Sequence, residues 1–476
     1  MINVPTSPNS TKEEIECIYN LQKANKQTLK NTDASVRITK LKKVKNAIFS
    51  MRLEIQQAIY ADFKKPAEEV DLTELFPLVS EIKHICEHLD SWMEPEEVAT
   101  PLSMLGSTAS IVREPKGNCL IISPWNYPFQ LAISPVLMCI ATGNTCMIKP
   151  SEYTPHTTQI IQRFIKSIFD ENEVAVITGD AAVSQDLFQL KFDHIHFTGS
   201  PAVGKIVMRE ASKFLTSVTL ELGGKSPAII DESANIEEAA NKVAWGKCIN
   251  VGQTCIAPDY VFVQESKKNA LIEKLKSNIE SLYSKNIEQN KDMGRIVNNK
   301  HFNRLKSLLD DAIQKGAKVE FGGIINEAEN YVAPTILSNM PLNARILEEE
   351  IFGPILPILS YNTIDEALNY INTNEKPLAL YIFSNKNKNA EYIINNTSAG
   401  GTCINDTLVH QAHPNLPFGG INNSGIGKSH GIFGFKEFSN ERAMLKQHLR
   451  KGALQLLYPP YTNFAKRMID ITLKYF

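Results

Sequence analysis

The chain has almost no excess of either charge: 50 Lys and Arg stand against 52 Asp and Glu, a formal net charge of -2. Neutralising a run of phosphates needs a concentrated basic excess, so a general nucleic-acid binder is excluded. Long hydrophobic runs are missing too. The longest, "LAISPVLMCIATG" at 131–143, is interrupted by Pro135 and falls short of the about 20 residues that cross a bilayer; it reads as a core helix. The start, "MINVPTSPNSTKEEIE", lacks the basic-then-apolar pattern of a cleaved signal peptide. The eight cysteines (Cys17, Cys86, Cys119, Cys139, Cys146, Cys248, Cys255 and Cys403) are too scattered for a disulfide framework or a metal knuckle. Reduced thiols in a cytoplasmic protein with no metal site are the expectation. There is no internal repeat and no low-complexity linker.

What is present is ordinary globular material, 43% hydrophobic and 21% charged, spread over 476 residues. That length exceeds one typical core and suits two sizeable domains with a smaller appendage. Leu41, Val44, Ile48, Met51, Ile55 and Ile59 recur at helical spacing, so the N-terminal part reads as amphipathic helix. From about residue 117 short apolar runs alternate with helical segments: "GNCLIIS", "NTCMIKP", "EVAVITG", "DHIHFTG" and "SVTLELGG". Such alternation predicts βαβ units and a parallel doubly wound sheet. A second series, from "SPAIID" through "YVFVQ" to "ALYIF" at 379–383, predicts a second α/β domain. "STASIVREP" alternates like an exposed strand and is expected to pair with a segment around 436–449 as a protruding arm, an edge that invites a second copy. The expected division is 1–98 with 114–222, 223–410, an arm of 99–113 with 436–455, a crossover loop 411–435 and a tail 456–476.

Open α/β sheets take ligands beyond the carboxyl ends of their strands, and there the sequence places "SPWNYP", "KPSE", "FTGSPAVG" and "ELGGK". Gly199 to Gly204 make a glycine turn opening a helix, whose free N–H groups suit a phosphate, although the spacing departs from G-x-G-x-x-G and fits a plain strand-to-helix turn equally. Lys149 and Glu152 fit either a ribose or simple solvated charges. Cys255 stands in the Gly/Gln/Thr loop "NVGQTCIAP", where a thiol is accessible and poised for deprotonation; Cys139, Cys146 and Cys248 sit in apolar or helical runs and read as packing. Glu221 closes an apolar strand before two glycines. There a carboxylate has a raised pKa and serves as a general base, or else caps or pairs with Lys225. The Asn126 amide can donate to an oxyanion, or merely form a turn. "EEEIFGP", with Glu350 and Phe352, and "LPFGGINNSGIGKSHGIFGF" suit a flat ligand or a domain crossover.

Together "SPWNYPF", "MIKPSE", "FTGSPAVG", "LELGGKSP", "GQTCIAPDY", "EEIFGP" and "PFGGINNSG" follow one another as in the NAD(P)-dependent aldehyde dehydrogenase superfamily, which residues 35 to about 450 resemble. "WNYPF", "GQTCIAPDY", the short N-terminus and "LLYPPY" are most similar to the class-three branch of fatty and aromatic aldehyde dehydrogenases. The resemblance implies that Cys255 is the nucleophile, Glu221 the general base and Asn126 an oxyanion donor. It implies NAD or NADP as cofactor, with Lys149 and Glu152 at the adenosine ribose, and Gly199, Ser200 and Gly204 along the pyrophosphate. Trp125, Leu222 and Gly223 join the cofactor contacts, and Glu350 and Phe352 position the nicotinamide half. It also implies an aldehyde substrate and a homodimer. Two competing readings are a CoA-acylating enzyme, against which Glu221 argues, and a non-catalytic protein on the same scaffold. The tail "TNFAKRMIDITLKYF" puts Phe464, Met468 and Ile471 near one helical face, suited to packing on a subunit or to weak contact with a membrane surface.

Overall fold

Each apolar run after residue 117 becomes a strand covered on both faces, which is why it reads as continuous rather than alternating. In the computed structural model, which describes residues 8–101, 104–449, 455 and 457–475, Asn118–Ile122 lies near the centre of a six-stranded sheet. Thr145–Lys149 and Val174–Val176 extend the sheet to one side, and His194–Gly199 and Ser217–Leu222 to the other, all parallel. Gly425–Ile426 closes that second edge antiparallel. The order of growth reverses between Asn118–Ile122 and His194–Gly199, so a crevice opens past their carboxyl ends.

The N-terminal helices cover one face of this sheet. Leu41, Val44, Ile48, Ile55 and Ile59 are all at most 1% exposed, as their spacing predicted, but the run is two helices, Ala34–Ser50 and Arg52–Phe63, divided at Met51. Gln130–Thr142 is the apolar helix expected at 131–143 and is buried except for Leu131, Pro135 included.

The second sheet has seven strands in the order Lys318–Phe321, Thr335–Ser338, Ile355–Tyr361, Tyr260–Gln264, Pro227–Ile230, Ala379–Phe383, Gly401–Ile404, parallel except for the first. The helix Ile236–Cys248 is followed by three successive left-handed residues, Asn250 (φ 50°), Val251 (φ 56°) and Gly252 (φ 71°). A β-branched residue strongly disfavours that conformation, so the surroundings must hold Val251 there. The turn reverses the chain and brings Cys255 to the amino end of Tyr260–Gln264.

The arm is three-stranded: Ser107–Pro115 lies between Glu96–Val98 and Ser439–Gln447. It therefore starts before and runs past the expected 99–113. Being the central strand, Ser107–Pro115 is half-buried along nearly its whole length rather than alternating. Residues 450–454 of the expected arm lie outside the described residues. The helix Asn463–Tyr475 buries only Ala465, leaving Phe464, Ile471 and Leu473 exposed. Among the described residues no helix is long and apolar enough to cross a membrane.

Candidate active site

The crevice at the switch in strand order continues into a cavity of about 640 Å³ that reaches the second sheet. Its lining brings together Cys255, Glu221 and Asn126, which lie far apart in the chain. Trp125, Gly199, Ser200, Leu222, Gly223, Glu350 and Phe352 share the same walls. Lys149, Glu152 and Gly204 do not. Lys149 is buried, its ammonium donating to the Pro150 carbonyl at 3.1 Å and to Glu152 at 3.4 Å. A Cβ on Gly204 would come within 2.6 Å of the Leu222 side chain, so this glycine lets the helix Pro201–Ser212 lie close against Ser217–Leu222.

Glu221 is 6% exposed, and neither carboxylate oxygen has a hydrogen-bond partner. Burial pushes its carboxyl up to about 7; the Ser429 hydroxyl and the Lys428 ammonium pull the other way, and Glu437 adds to the rise. Ser429 lies close but also has the Phe418 carbonyl as an acceptor at 3.3 Å. Lys225, four residues on from Glu221, turns away from it and pairs with Asp259. Of the alternatives for Glu221, a general base, a cap or an ion pair with Lys225, the ion pair is the one not formed.

Cys255 alone of the eight cysteines lines the cavity, and its residue is partly exposed. The polar loop is not what dominates the surroundings of this thiol. Burial first, then the carboxyls of Glu350 and Glu221, push it up to about 12, with the backbone N–H groups of Cys255 and Ile256 opposing. Local composition therefore does not fix the ionisation of this thiol: burial raises it first, and two carboxyl groups distant in sequence add to the rise.

Three charged residues shape the wall that carries Glu350 and Phe352: Lys225, which the sequence offered only as an ion-pair partner of Glu221, and Asp259 and Arg304, which sequence reasoning missed. Lys225 also donates to the carbonyls of Ile346 (2.9 Å) and Glu349 (2.8 Å), Asp259 accepts from the Ile351 N–H (2.8 Å), and Arg304 donates to the Glu350 (3.0 Å) and Ile351 (2.5 Å) carbonyls. The backbone under Glu350 and Phe352 is thereby fixed from three directions. Phe352 itself is left-handed (φ 50°) and meets the Trp125 ring edge-on, centroids 5.3 Å apart. A Cβ on Gly223 would lie 2.1 Å from Glu350 Oε2, so this glycine lets the Glu350 carboxyl rest close on the backbone and a larger residue would displace it.

A thiol, a dry carboxyl and an amide around one cavity, reached from a helix N-terminus, match a known architecture. The pattern of the aldehyde dehydrogenase family matches residues 3–444. This chain belongs to the aldehyde dehydrogenase family. It is 45% identical to the 4,4'-diaponeurosporen-aldehyde dehydrogenase of Staphylococcus aureus over 91% of this chain and 94% of that one. It is 42% identical to the dimeric NADP-preferring aldehyde dehydrogenase of Rattus norvegicus, over 83% and 88%. The substrate-bound structure of Staphylococcus aureus AldH superposes with a TM-score of 0.92 at 43% identity, covering 96% and 99% of the two chains. The relatives place it in the class-three branch.

This aldehyde dehydrogenase uses NAD or NADP, and its crevice fits such a group. Gly199 has no room for a Cβ, which would lie 2.5 Å from the Phe197 ring, and the Ser200 hydroxyl caps the helix Pro201–Ser212 at Val203, leaving the neighbouring N–H groups at the cavity wall. A second cavity of about 260 Å³ meets the first at Cys255. Its walls include Leu72, Phe76, Trp245, Ile249, Leu408 and Val409. Leu72, Phe76 and Val409 are also exposed, forming an apolar mouth.

Proposed function

We propose that the enzyme oxidises medium- or long-chain aliphatic or aromatic aldehydes to carboxylic acids through a thioester on Cys255. The observation that carries this is the position of the thiol, where the cavity that also holds Glu221 and Asn126 meets a second one walled by Leu72, Phe76, Ile249 and Leu408. Cys255 Sγ attacks the aldehyde carbon, its proton passing to one of the two carboxylates beside it, Glu221 or Glu350. The new oxyanion takes hydrogen bonds from the Cys255 backbone N–H and from Asn126 Nδ2. That nitrogen has two protons, of which one is committed to the Gln253 carbonyl at 3.1 Å. A bound NAD(P) would supply the hydride acceptor, and Trp125, Glu350 and Phe352 on this wall would hold its nicotinamide end. Glu221, deprotonated again, removes a proton from water as it attacks the thioester carbon; the acid leaves and the sulfur regains a proton.

The unit on the first sheet, 1–98 with 114–222, serves as the cofactor-binding domain, and 223–410 carries the nucleophile. Glu152 repels a ribose 2′-phosphate and so favours NAD. Steady-state turnover with NAD and NADP against hexanal, benzaldehyde and a long-chain aldehyde, with and without CoA, tests the reading. Turnover independent of CoA and a lower KM for the longer aldehydes are expected. A strict requirement for CoA would overturn hydrolysis by Glu221.

The protein acts as a cytoplasmic homodimer paired through the arm, a reading supported by the dimeric relative and by the exposed Ser439–Gln447 edge. The apolar residues on the C-terminal helix suit weak contact with a membrane surface. Flotation with anionic vesicles should weaken when residues 460–476 are removed, and equal flotation of the two proteins would dispose of the contact.

A further inference from the structure

Lys65, Glu69 and Glu74 line neither cavity, yet they touch both loops that carry the proposed chemistry. Lys65 is 1% exposed and pairs with Glu74, 0% exposed, at 2.9 Å. The same ammonium lies 3.5 Å from the Asn126 carbonyl oxygen and 4.2 Å from the centre of the Tyr127 ring. The other oxygen of Glu74 accepts from the N–H groups of Phe129 (2.9 Å) and Gln130 (3.1 Å), at the open first turn of Gln130–Thr142. A carboxylate there also meets the positive end of the helix dipole. The loop 126–130 is thus tied down at both ends.

The same segment reaches the nucleophile loop. Glu69 Oε1 accepts from the N–H of Asn250 at 2.8 Å, the first of the three left-handed residues before Cys255. The Asn250 amide donates to the carbonyls of Asn126 (2.8 Å) and Gln253 (3.0 Å), and Tyr127 Oη shares a hydrogen bond with Thr254 Oγ1 at 2.6 Å. The circuit closes through Asn126 Nδ2, on the Gln253 carbonyl. The turn Asp71–Leu75, which begins two residues past Glu69 and contains Glu74, is π-helical, a form common beside functional sites.

We propose that Lys65, Glu69 and Glu74 form a buried bracket that positions the Asn126 amide against the Cys255 sulfur. They are positioning residues, since none faces substrate or cofactor. Two loops from different domains must agree to a fraction of an ångström, and a misplacement of about 1 Å costs about a hundredfold in rate. A strained left-handed Val251 does not keep such a register unaided. A buried ion pair is a weak source of stability, since well-packed neutral residues replace such pairs with little loss; its use here is geometric.

The inference rests on the roles given above to Cys255 and Asn126, and the test separates the two. The rate of the first NAD(P)H burst, the aldehyde KM, NAD(P) binding and the thermal midpoint are measured for Lys65→Met, Glu74→Gln, the double variant, Glu69→Ala and Glu69→Gln. Each is also made with Asn126→Ala. Lys65→Met and Glu74→Gln alone leave a buried charge unpaired and lower the midpoint. The double variant removes both charges and recovers the midpoint, but its burst is expected to stay about tenfold to a hundredfold slow with NAD(P) binding and KM little changed. Glu69→Gln, which keeps the acceptor, retains more of the burst than Glu69→Ala. In the Asn126→Ala background these losses shrink towards nothing, because the group being positioned is gone. A double variant whose burst returns to the wild-type rate with its midpoint, or losses that add fully to that of Asn126→Ala, would overturn the bracket. If Asn126→Ala itself bursts normally, the oxyanion role fails, and the bracket as stated fails with it.

Discussion

Cys255→Ala abolishes aldehyde-dependent formation of NAD(P)H, by about a thousandfold or more, while NAD(P) still binds. No neighbouring thiol can substitute. Cys119, Cys139 and Cys146 are fully buried in the first-sheet domain, Cys248 is 2% exposed, and none of the other seven lines either cavity. Serine at 255 would be a poor replacement, since an alkoxide is a worse leaving group than a thiolate when the acyl group must be released. Stopped-flow absorbance at saturating aldehyde reads the loss directly, and a cofactor titration shows that the crevice is intact. Near-normal turnover in this variant would refute the thioester route.

Glu221→Gln is the second large effect. The amide keeps the shape of the side chain but cannot take a proton from water, so acylation proceeds and hydrolysis stalls. Intact mass should show the protein plus one acyl group, and kcat should fall about a hundredfold to ten-thousandfold. The pH profile follows from the raised carboxyl. The base works only when deprotonated, and with its pKa near 7 a hydrolysis-limited kcat loses activity as pH falls through that value and levels off above it. That acid limb should vanish in Glu221→Gln. Glu350 is the competing base, for it too lines the cavity with Cys255, its charge raises the thiol, and burial and Asp259 hold it up to about 8. An acyl-enzyme that accumulates in Glu350→Gln but not in Glu221→Gln would move the base there.

Much of this was legible in the residues. A cysteine amid Gly, Gln and Thr differs visibly from cysteines amid Leu and Ile, and a glutamate ending an apolar strand before two glycines has few structural uses. Chain order then brought these residues together with Asn126 and the glycine turn as one resemblance. The pairs that hold them were not legible. Lys225 meets Asp259, 34 residues on, and the Glu349 carbonyl, 124 residues on; Glu69 meets Asn250 across 181. Each is an unremarkable charge in its own stretch, and only partners supplied by another element give it a task.

The order of apolar runs and turn residues was enough to specify two doubly wound sheets, and the identity of a few loop residues was enough to nominate the reacting groups, because both depend on local chemistry and periodicity. The ionisation of those groups was decided elsewhere. A thiol that composition alone would make reactive is raised to about 12, since folding removes its water and sets two carboxyl groups beside it, and electrostatic interactions depend on distance and dielectric surroundings rather than on position in the chain.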